Sequence, residues 1–240
     1  MTTLAVLQPG YLPWLGFFDQ MQRADHFVFY DDVQFDKNGW RNRNRVKSAS
    51  GPVWLTVPVR HKGLAKPRIM DIDIDNSRPW GKKQLNTLSQ LYARAPFRDL
   101  YLPGLGEVLR HPWQRLVDLD LALIERMCGW LGLERPLHRS SELGVGGGQS
   151  GRLVALCQHF GADTYLTGDS ARDYLDGDLF AEAGIGVEWQ NYQHPTYPQL
   201  HGGFVPYLST LDLLFNVGPE SLALLAGKGA SLGGGEGNHD

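Results

Sequence analysis

Thr3-Leu4-Ala5-Val6-Leu7, then Gln8-Pro9-Gly10, then Trp14, Phe17, Phe18 and Met21, then Phe27-Val28-Phe29-Tyr30 ending in Asp31-Asp32: the fold is decided here. A short apolar run closed by Pro-Gly is the pattern of a buried strand. The four large side chains fall at i, i+3, i+4 and i+7, one face of a helix, and Pro13 suits its first turn. The second apolar run returns as a strand. Strand, helix, strand is a βαβ unit, which implies a parallel pair joined by a right-handed crossover.

Downstream, Trp40 to Val46 is polar and rich in Arg and Asn, and Val53 to Val59 reads as a strand. Ser50-Gly51-Pro52 is the turn expected to join them into a small antiparallel segment. Ile69, Ile72 and Ile74 mark another short strand. A helical insertion at about 78–135 follows, with helices expected over Trp80 to Tyr92, Phe97 to Leu109 and Trp113 to Leu131. The chain then returns to α/β character. Gly144-Val145-Gly146-Gly147-Gly148 precedes a helix striped by Leu153, Leu156, Cys157 and Phe160. A strand at Thr164-Tyr165-Leu166, a short helix near Leu179 to Ala183 and a strand at Val187-Glu188-Trp189 come next. Ser209 caps the last helix, and Asp212 suits its positive first turn. The expectation is one α/β domain over residues 1–226, a mostly parallel sheet with flanking helices, and a disordered Gly-rich tail over 227–240.

The chain has 240 residues, enough to bury a full core, and its 42% hydrophobic and 20% charged content is that of an ordinary globular protein. A net charge of −3 gives no general attraction to nucleic acid or acidic membranes. Cys128 and Cys157 both fall in apolar helical stretches and read as buried, reduced thiols. No signal peptide or apolar run of spanning length is present, so the expected setting is cytoplasmic.

In an open parallel sheet, ligands bind outside the carboxyl ends of the strands. The residues that follow the apolar strands are therefore the site candidates: Gln8 and Tyr11; Asp31, Asp32 and Gln34, with Lys37 nearby; Thr167, Gly168, Asp169 and Ser170; Asn191, Tyr192, Gln193 and His194. Each has a plainer reading as well, since Asp and Gly are ordinary turn residues. Strand alternation would put Arg41, Arg43 and Arg45 on one face and Trp40, Asn42 and Asn44 on the other. Three arginines so placed grip phosphate or carboxylate, or else decorate a solvated edge. The glycine run before residue 149 is either a phosphate cradle without the lysine of a P-loop or a linker. No Cys/His spacing resembles a zinc site, and no metal ligands are assigned.

The stretch Leu7-Gln8-Pro9-Gly10-Tyr11-Leu12-Pro13-Trp14-Leu15-Gly16-Phe17-Phe18 resembles the opening of the WbqC-like family. So do Asp31-Asp32-Val33-Gln34-Phe35, Trp40-Arg41-Asn42-Arg43-Asn44-Arg45-Val46, Tyr192-Gln193-His194-Pro195, Tyr197-Pro198-Gln199 and Phe204-Val205-Pro206-Tyr207-Leu208-Ser209. The resemblance implies a place in bacterial O-antigen, related polysaccharide or secondary-metabolite biosynthesis, and a glycine or aminoacyl transferase role. The first βαβ unit is also similar to the start of pantothenate synthetase and other HUP/nucleotidyltransferase-like ligases. Their H-x-G-H motif is replaced here by Pro13-Trp14-Leu15-Gly16.

Three functions follow as expectations. The first is an acyl or aminoacyl transferase that forms an amide on an amino sugar or small amine. In it His194 is the base, Asp31 or Asp32 orients the amine, and Arg43 and Arg45 hold the donor. Gln8, Tyr11, Gln34, Lys37, Asn42, Ser170 and Gln199 complete the substrate-binding set. The second is an ATP-dependent carboxylate-activating ligase, with ATP as the one cofactor considered. The third is a carbohydrate-binding module built on Trp40, Trp54 and Tyr197. The expected partners are a small acyl or aminoacyl donor, free or linked to a carrier protein or tRNA, and an amine acceptor. No membrane and no sequence-specific nucleic acid is expected.

Overall fold

The computed structural model describes residues 1–60, 63 and 65–227; from residue 228 onward the glycine-rich tail lies outside the described residues. A five-stranded sheet is built from β1 (Thr3–Leu7), β2 (His26–Phe29), two strands of the last third of the chain and a short strand between them in sequence. Helix α1 (Leu15–Arg23) joins β1 to β2. Two antiparallel pairs follow: β3 (Arg43–Ser48) with β4 (Gly51–Thr56), and β5 (Val59–Arg60) with β6 (Asp73–Ile74). Then come α2 (Trp80–Leu91), α3 (Arg98–Arg110), α4 (Leu116–Leu131) and β7 (Leu137–Arg139). The remainder is α5 (Gln149–His159), β8 (Thr164–Thr167), α6 (Gly177–Glu182), β9 (Gly186–Trp189), α7 (Thr210–Val217) and α8 (Ser221–Leu225).

The sheet order is β7-β2-β1-β8-β9, and every neighbouring pair is parallel. Ranked along the chain, these strands run 3-2-1-4-5, so the connections turn outward in opposite directions from the gap between β1 and β8. The loops leaving β1 and β8 diverge at that gap and open a crevice at the carboxyl ends. Side-chain alternation fills both faces. Ala5, Phe27 and Phe29 join a core with Phe17, Phe18 and Met21 of α1 and the helices α2, α3, α4 and α7. Leu4, Val6 and Val28 face the other way, against Leu153, Leu156 and Cys157 of α5 and Phe180 of α6. Both cysteines are buried and free, and burial pushes each thiol up to about 12. Among the described residues no helix is long and apolar enough to cross a membrane.

Several local expectations are corrected. Helix α1 starts at Leu15 with Trp14 at its cap, so Pro13 stands before the helix. Gly51 and Pro52 belong to β4, because Ser48 pairs with Gly51 and only Ala49 and Ser50 make the turn. Val59 pairs with Ile74 in a separate sheet instead of prolonging β4. Trp113 and Gln114 lie outside α4; the Gln114 carbonyl accepts from the Ile74 amide. The strand β7 carries no apolar run, and nothing in the pattern announces it.

Candidate functional site

A cavity of about 1130 Å³ occupies the crevice between β1 and β8. The loop after β1 contributes Gln8 and Gly10, the end of β8 contributes Thr167 and the segment after it Gly168, Asp169 and Ser170, and the loop after β9 contributes Gln190 and Tyr192. Gly10 is required by close approach. A Cβ there would lie 3.0 Å from the Trp40 carbonyl oxygen, and the next residue, Tyr11, donates its amide to the carbonyls of Trp40 and Arg41.

The helix ends bear directly on ligand charge. Pro13, Trp14 and Phe17 bring the amino end of α1 to the cavity, and Gln149 and Ser150 bring that of α5. Neither helix has a side-chain cap or an acidic residue in its first turn, so both positive dipole ends stay uncompensated. Arg41 and Arg45 add two guanidinium groups. Arg41 donates to the carbonyls of Gln8 and Pro9 at 2.8 and 3.1 Å. Burial lowers its pKa, and the charges of Asp120 and Asp36 oppose that shift. Among the described residues the one carboxylate in the lining, Asp169, is paired with Arg172 at 3.0 Å. The electrostatics favour an anion.

The floor is neutral and ordered. Gln190 donates from Nε2 to the Gly16 carbonyl and to Asp19 at 2.7 and 2.8 Å, groups that can only accept. Its Oε1 therefore faces Gln20, which donates to it at 2.7 Å. That chain of donors fixes both amides, and Gln20 Oε1 is left buried without a partner.

Backbone strain gathers at the same place. Gln149 and Tyr207, with φ of 43° and 58°, line the cavity, and Leu12 and Asn191, at 47° and 46°, adjoin residues that do. Left-handed backbone is costly for such residues and concentrates at functional sites. Asn44 holds the Leu12 carbonyl from its side-chain amide at 2.8 Å.

Of the residues expected from sequence, Gln8, Arg41, Arg45, Thr167, Gly168, Asp169, Ser170 and Tyr192 line this cavity. Tyr11 is fully buried and donates to Gln84 at 2.6 Å. Asn42 donates to the Val57 carbonyl. Gln199 exchanges two hydrogen bonds with the Val205 backbone and so ties its own loop. Arg43 lies over Trp54, outside the cavity, while Gln34 and Lys37 are exposed beyond it. The arginine face is also redistributed: residues 40–42 precede β3, so Trp40 joins the arginines, with Arg45 5.4 Å from its ring.

The two aspartates point away. Asp31 is fully buried and accepts from Arg139 at 2.8 Å, from the Ser141 hydroxyl at 2.8 Å and from the Ser141 amide at 3.0 Å. Asp32 takes two bonds from Arg152, at 2.6 and 3.0 Å, and one from Ser140 at 2.6 Å. Burial opposes its ionisation, but the Arg152 and Ser140 bonds outweigh that and hold the carboxyl below its usual range. Arg152 in turn lies 5.0 Å from the ring of Tyr30, which does line the cavity.

His194 stands one aromatic layer back. Tyr207 packs on both Trp14 and His194, at 5.5 and 5.3 Å, and Tyr192 contacts the same two rings. Nδ1 of His194 donates to the Pro195 carbonyl at 2.9 Å, which puts the lone pair of the neutral ring on Nε2. Burial lowers the imidazole pKa, and the Pro195 hydrogen bond opposes the shift.

Sequence reading missed Gln20, Tyr30 and Gln190. Gln190 follows Trp189 directly, so the rule that selected Gln8 would have found it; Gln20 sits inside a helix with no local sign of its partner.

Over residues 8–224 the sequence matches the WbqC-like protein family. It is 39% identical over 223 residues, 92% of this chain and 96% of the relative, to Rv1507c of Mycobacterium tuberculosis (strain ATCC 25618 / H37Rv), which is described as an uncharacterised protein. The chain belongs to the WbqC-like protein family.

Proposed function

We propose that the protein is an acyl or aminoacyl transferase of glycyl type that forms an amide on an amino sugar or small amine. One observation carries this reading: two uncapped helix amino ends and two arginines converge on a cavity whose single carboxylate is already paired. Such a lining suits a donor that carries phosphate or carboxylate. It also suits an attacking amine, which must be uncharged to react: a floor of Gln20, Gln190 and Thr167 can accept from N–H without holding the amine as an ammonium. Among the described residues no cysteine, lysine or histidine lines the cavity, so direct attack by the amine is the simplest route. His194 is the proposed base, reached when Tyr207 moves aside, and Asp32 acts through Arg152 as a positioning group for Tyr30.

The test is a mass-spectrometric screen of glycyl and acetyl donors, as adenylates and thioesters, against amino sugars and small amines. Amide formation is expected, with His194→Ala lowering turnover at least about a hundredfold, the usual scale of general-base loss. Amide formation unaffected by that change would remove His194 from the mechanism, and no amide from any pair would sink the reading.

A second reading, an ATP-dependent ligase, is favoured by the position of the cavity at the switch point, where doubly wound sheets bind nucleotides. Amino-acid-dependent exchange of pyrophosphate into ATP would support it, and absence of exchange across all amino acids would count against it.

A further inference from the structure

The exposed aromatic side chains of this protein gather at one place. Trp40, Trp54, Tyr174 and Tyr207 are 42%, 44%, 68% and 49% exposed. Three of these, Trp40, Tyr174 and Tyr207, line the cavity, at its mouth. Trp54 does not line it, but its ring lies 5.2 Å from that of Trp40 and carries the aromatic surface outward along β3 and β4. Arginines interleave with the rings. Arg43 sits 4.5 Å over Trp54, and Arg45 sits 5.4 Å from Trp40 and 5.7 Å from Trp54.

Several arginines elsewhere in the fold, among them Arg23, Arg139, Arg152 and Arg172, are each paired with a carboxylate. Among the described residues Arg43 and Arg45 have none; they donate only to the backbone carbonyls of Asn38 and Tyr207. The surface therefore offers flat apolar faces and positive charge that the protein does not neutralise. Its occupant must supply rings and anions together. It must also be longer than the cavity, because a ligand confined there leaves Trp54 and Arg43 bare. A neutral glycan could stack on the tryptophans but would leave the arginines unused, and a nucleic-acid duplex hides its ring faces.

We infer that the β3–β4 hairpin is a stacking platform for a single-stranded polynucleotide whose terminal residue enters the cavity. The overall charge of −3 does not oppose this, since the contact is local and independent of base sequence. Joined to the transferase reading, on which this step alone rests, the donor is an acyl ester at the end of that strand. The amine nitrogen attacks the ester carbonyl, the C–N bond forms, the C–O bond to the terminal ribose breaks, and the released hydroxyl takes the proton that the amine gives up.

The experiment is fluorescence anisotropy of the full chain with a labelled, mixed-sequence single-stranded RNA dodecamer, in competition with its duplex form or with an uncharged hexasaccharide. Single-strand binding is expected. Trp54→Ala should weaken it about tenfold or more. Arg43→Gln should reduce the slope of log Kd against log salt by about 0.7, the share of one phosphate contact on a single strand. Trp54 is exposed and Arg43 half-buried, and urea midpoints equal to wild type establish that the variants fold; either variant suffices for the test. Unchanged affinity in both variants, preference for the duplex, displacement by the hexasaccharide, or no RNA binding at low salt would each overturn the platform. Amide formation from a small thioester donor without RNA binding would sink this inference and leave the transferase reading standing. RNA binding with no amide formed from any donor, acylated strand or small thioester, would do the reverse.

Discussion

The flank of the sheet at β2 and β7 and the gap between β1 and β8 carry the same sequence signal, polar residues directly after an apolar strand, and opposite outcomes. After β2, Asp31 and Asp32 are closed into a network by Arg139, Ser140, Ser141 and Arg152. After β1 and β8, Gln8, Thr167 and Ser170 face a cavity together with two unneutralised arginines. The chain connections make the difference. Between β1 and β8 the crossovers leave in opposite directions and the strand ends open onto the cavity. At the flank, β7 lies beside β2, and the turn after it folds hydroxyls and amides over the acids. Polar strand ends mark a site where the connections diverge and a clasp where a neighbouring loop closes over them.

The strongest way to break this comparison is to cut the clasp. Asp31→Ala leaves the Ser141 hydroxyl and amide without their acceptor and Arg139 with only the exposed Glu142 at 3.6 Å. We expect a loss of about 3–5 kcal/mol in urea unfolding, the scale for removing one partner of a buried ion pair. Ser170→Ala, at an exposed residue of the cavity rim, should stay within about 0.5 kcal/mol. Equal effects at the two positions would erase the distinction between clasp and site.

How far the two regions could be read from sequence follows from the same contrast. The first βαβ unit was legible because β1 and β2 are covered on both faces and so are apolar throughout. Gln8 and Gly168 through Ser170 were legible because they directly follow such strands, and Thr167 because it ends one. The strand β7 was not: Leu137-His138-Arg139 is a three-residue edge strand with half-buried side chains and no periodicity. Without it, the partners of Asp31 and Asp32 were invisible, and both acids looked available for catalysis. The amide chain of Asp19, Gln190 and Gln20 brings together residues about 170 positions apart, which no local pattern encodes. Arg41 and Arg43 look equivalent in an alternating run, and only the start of β3 at Arg43 separates the one inside the cavity from the one outside.

The cavity side has one sealed charge of its own, and it gives a smaller test. Asp120 of α4 is fully buried with both oxygens unpartnered, behind Tyr11 and Arg41. Burial drives its pKa well above the usual carboxylate range, against the pull of Arg41. A raised pKa means the folded state binds the proton more tightly, so this group's contribution to stability is lost as pH rises through the window above the unfolded value. Asp120→Asn, which mimics the protonated acid, should match wild type near pH 4 and exceed it at pH 8 in urea midpoint. A variant weaker than wild type at pH 8 would mean that an ionised Asp120 supports Arg41, and the cavity would then share the clasp's architecture.

The smallest expected effect lies at the other side of the comparison, in the histidines of the closed flank. His138 of β7 packs 4.6 Å from Phe160 and 5.6 Å from His26, and His159 packs edge-on against the same phenylalanine. Burial lowers the His138 pKa, and the charges of His26 and His159 lower it further. The folded state therefore binds fewer protons than the unfolded chain just below pH 6.5, so stability should rise with pH across that window and level off above it. His138→Gln removes the titrating ring, and its urea midpoint should change less between pH 5 and 7.5 than that of wild type. If the variant keeps the full pH dependence, the flank's acid sensitivity belongs to other groups. The view of β7 as a sealed edge that excludes charge would then give way to one that tolerates it.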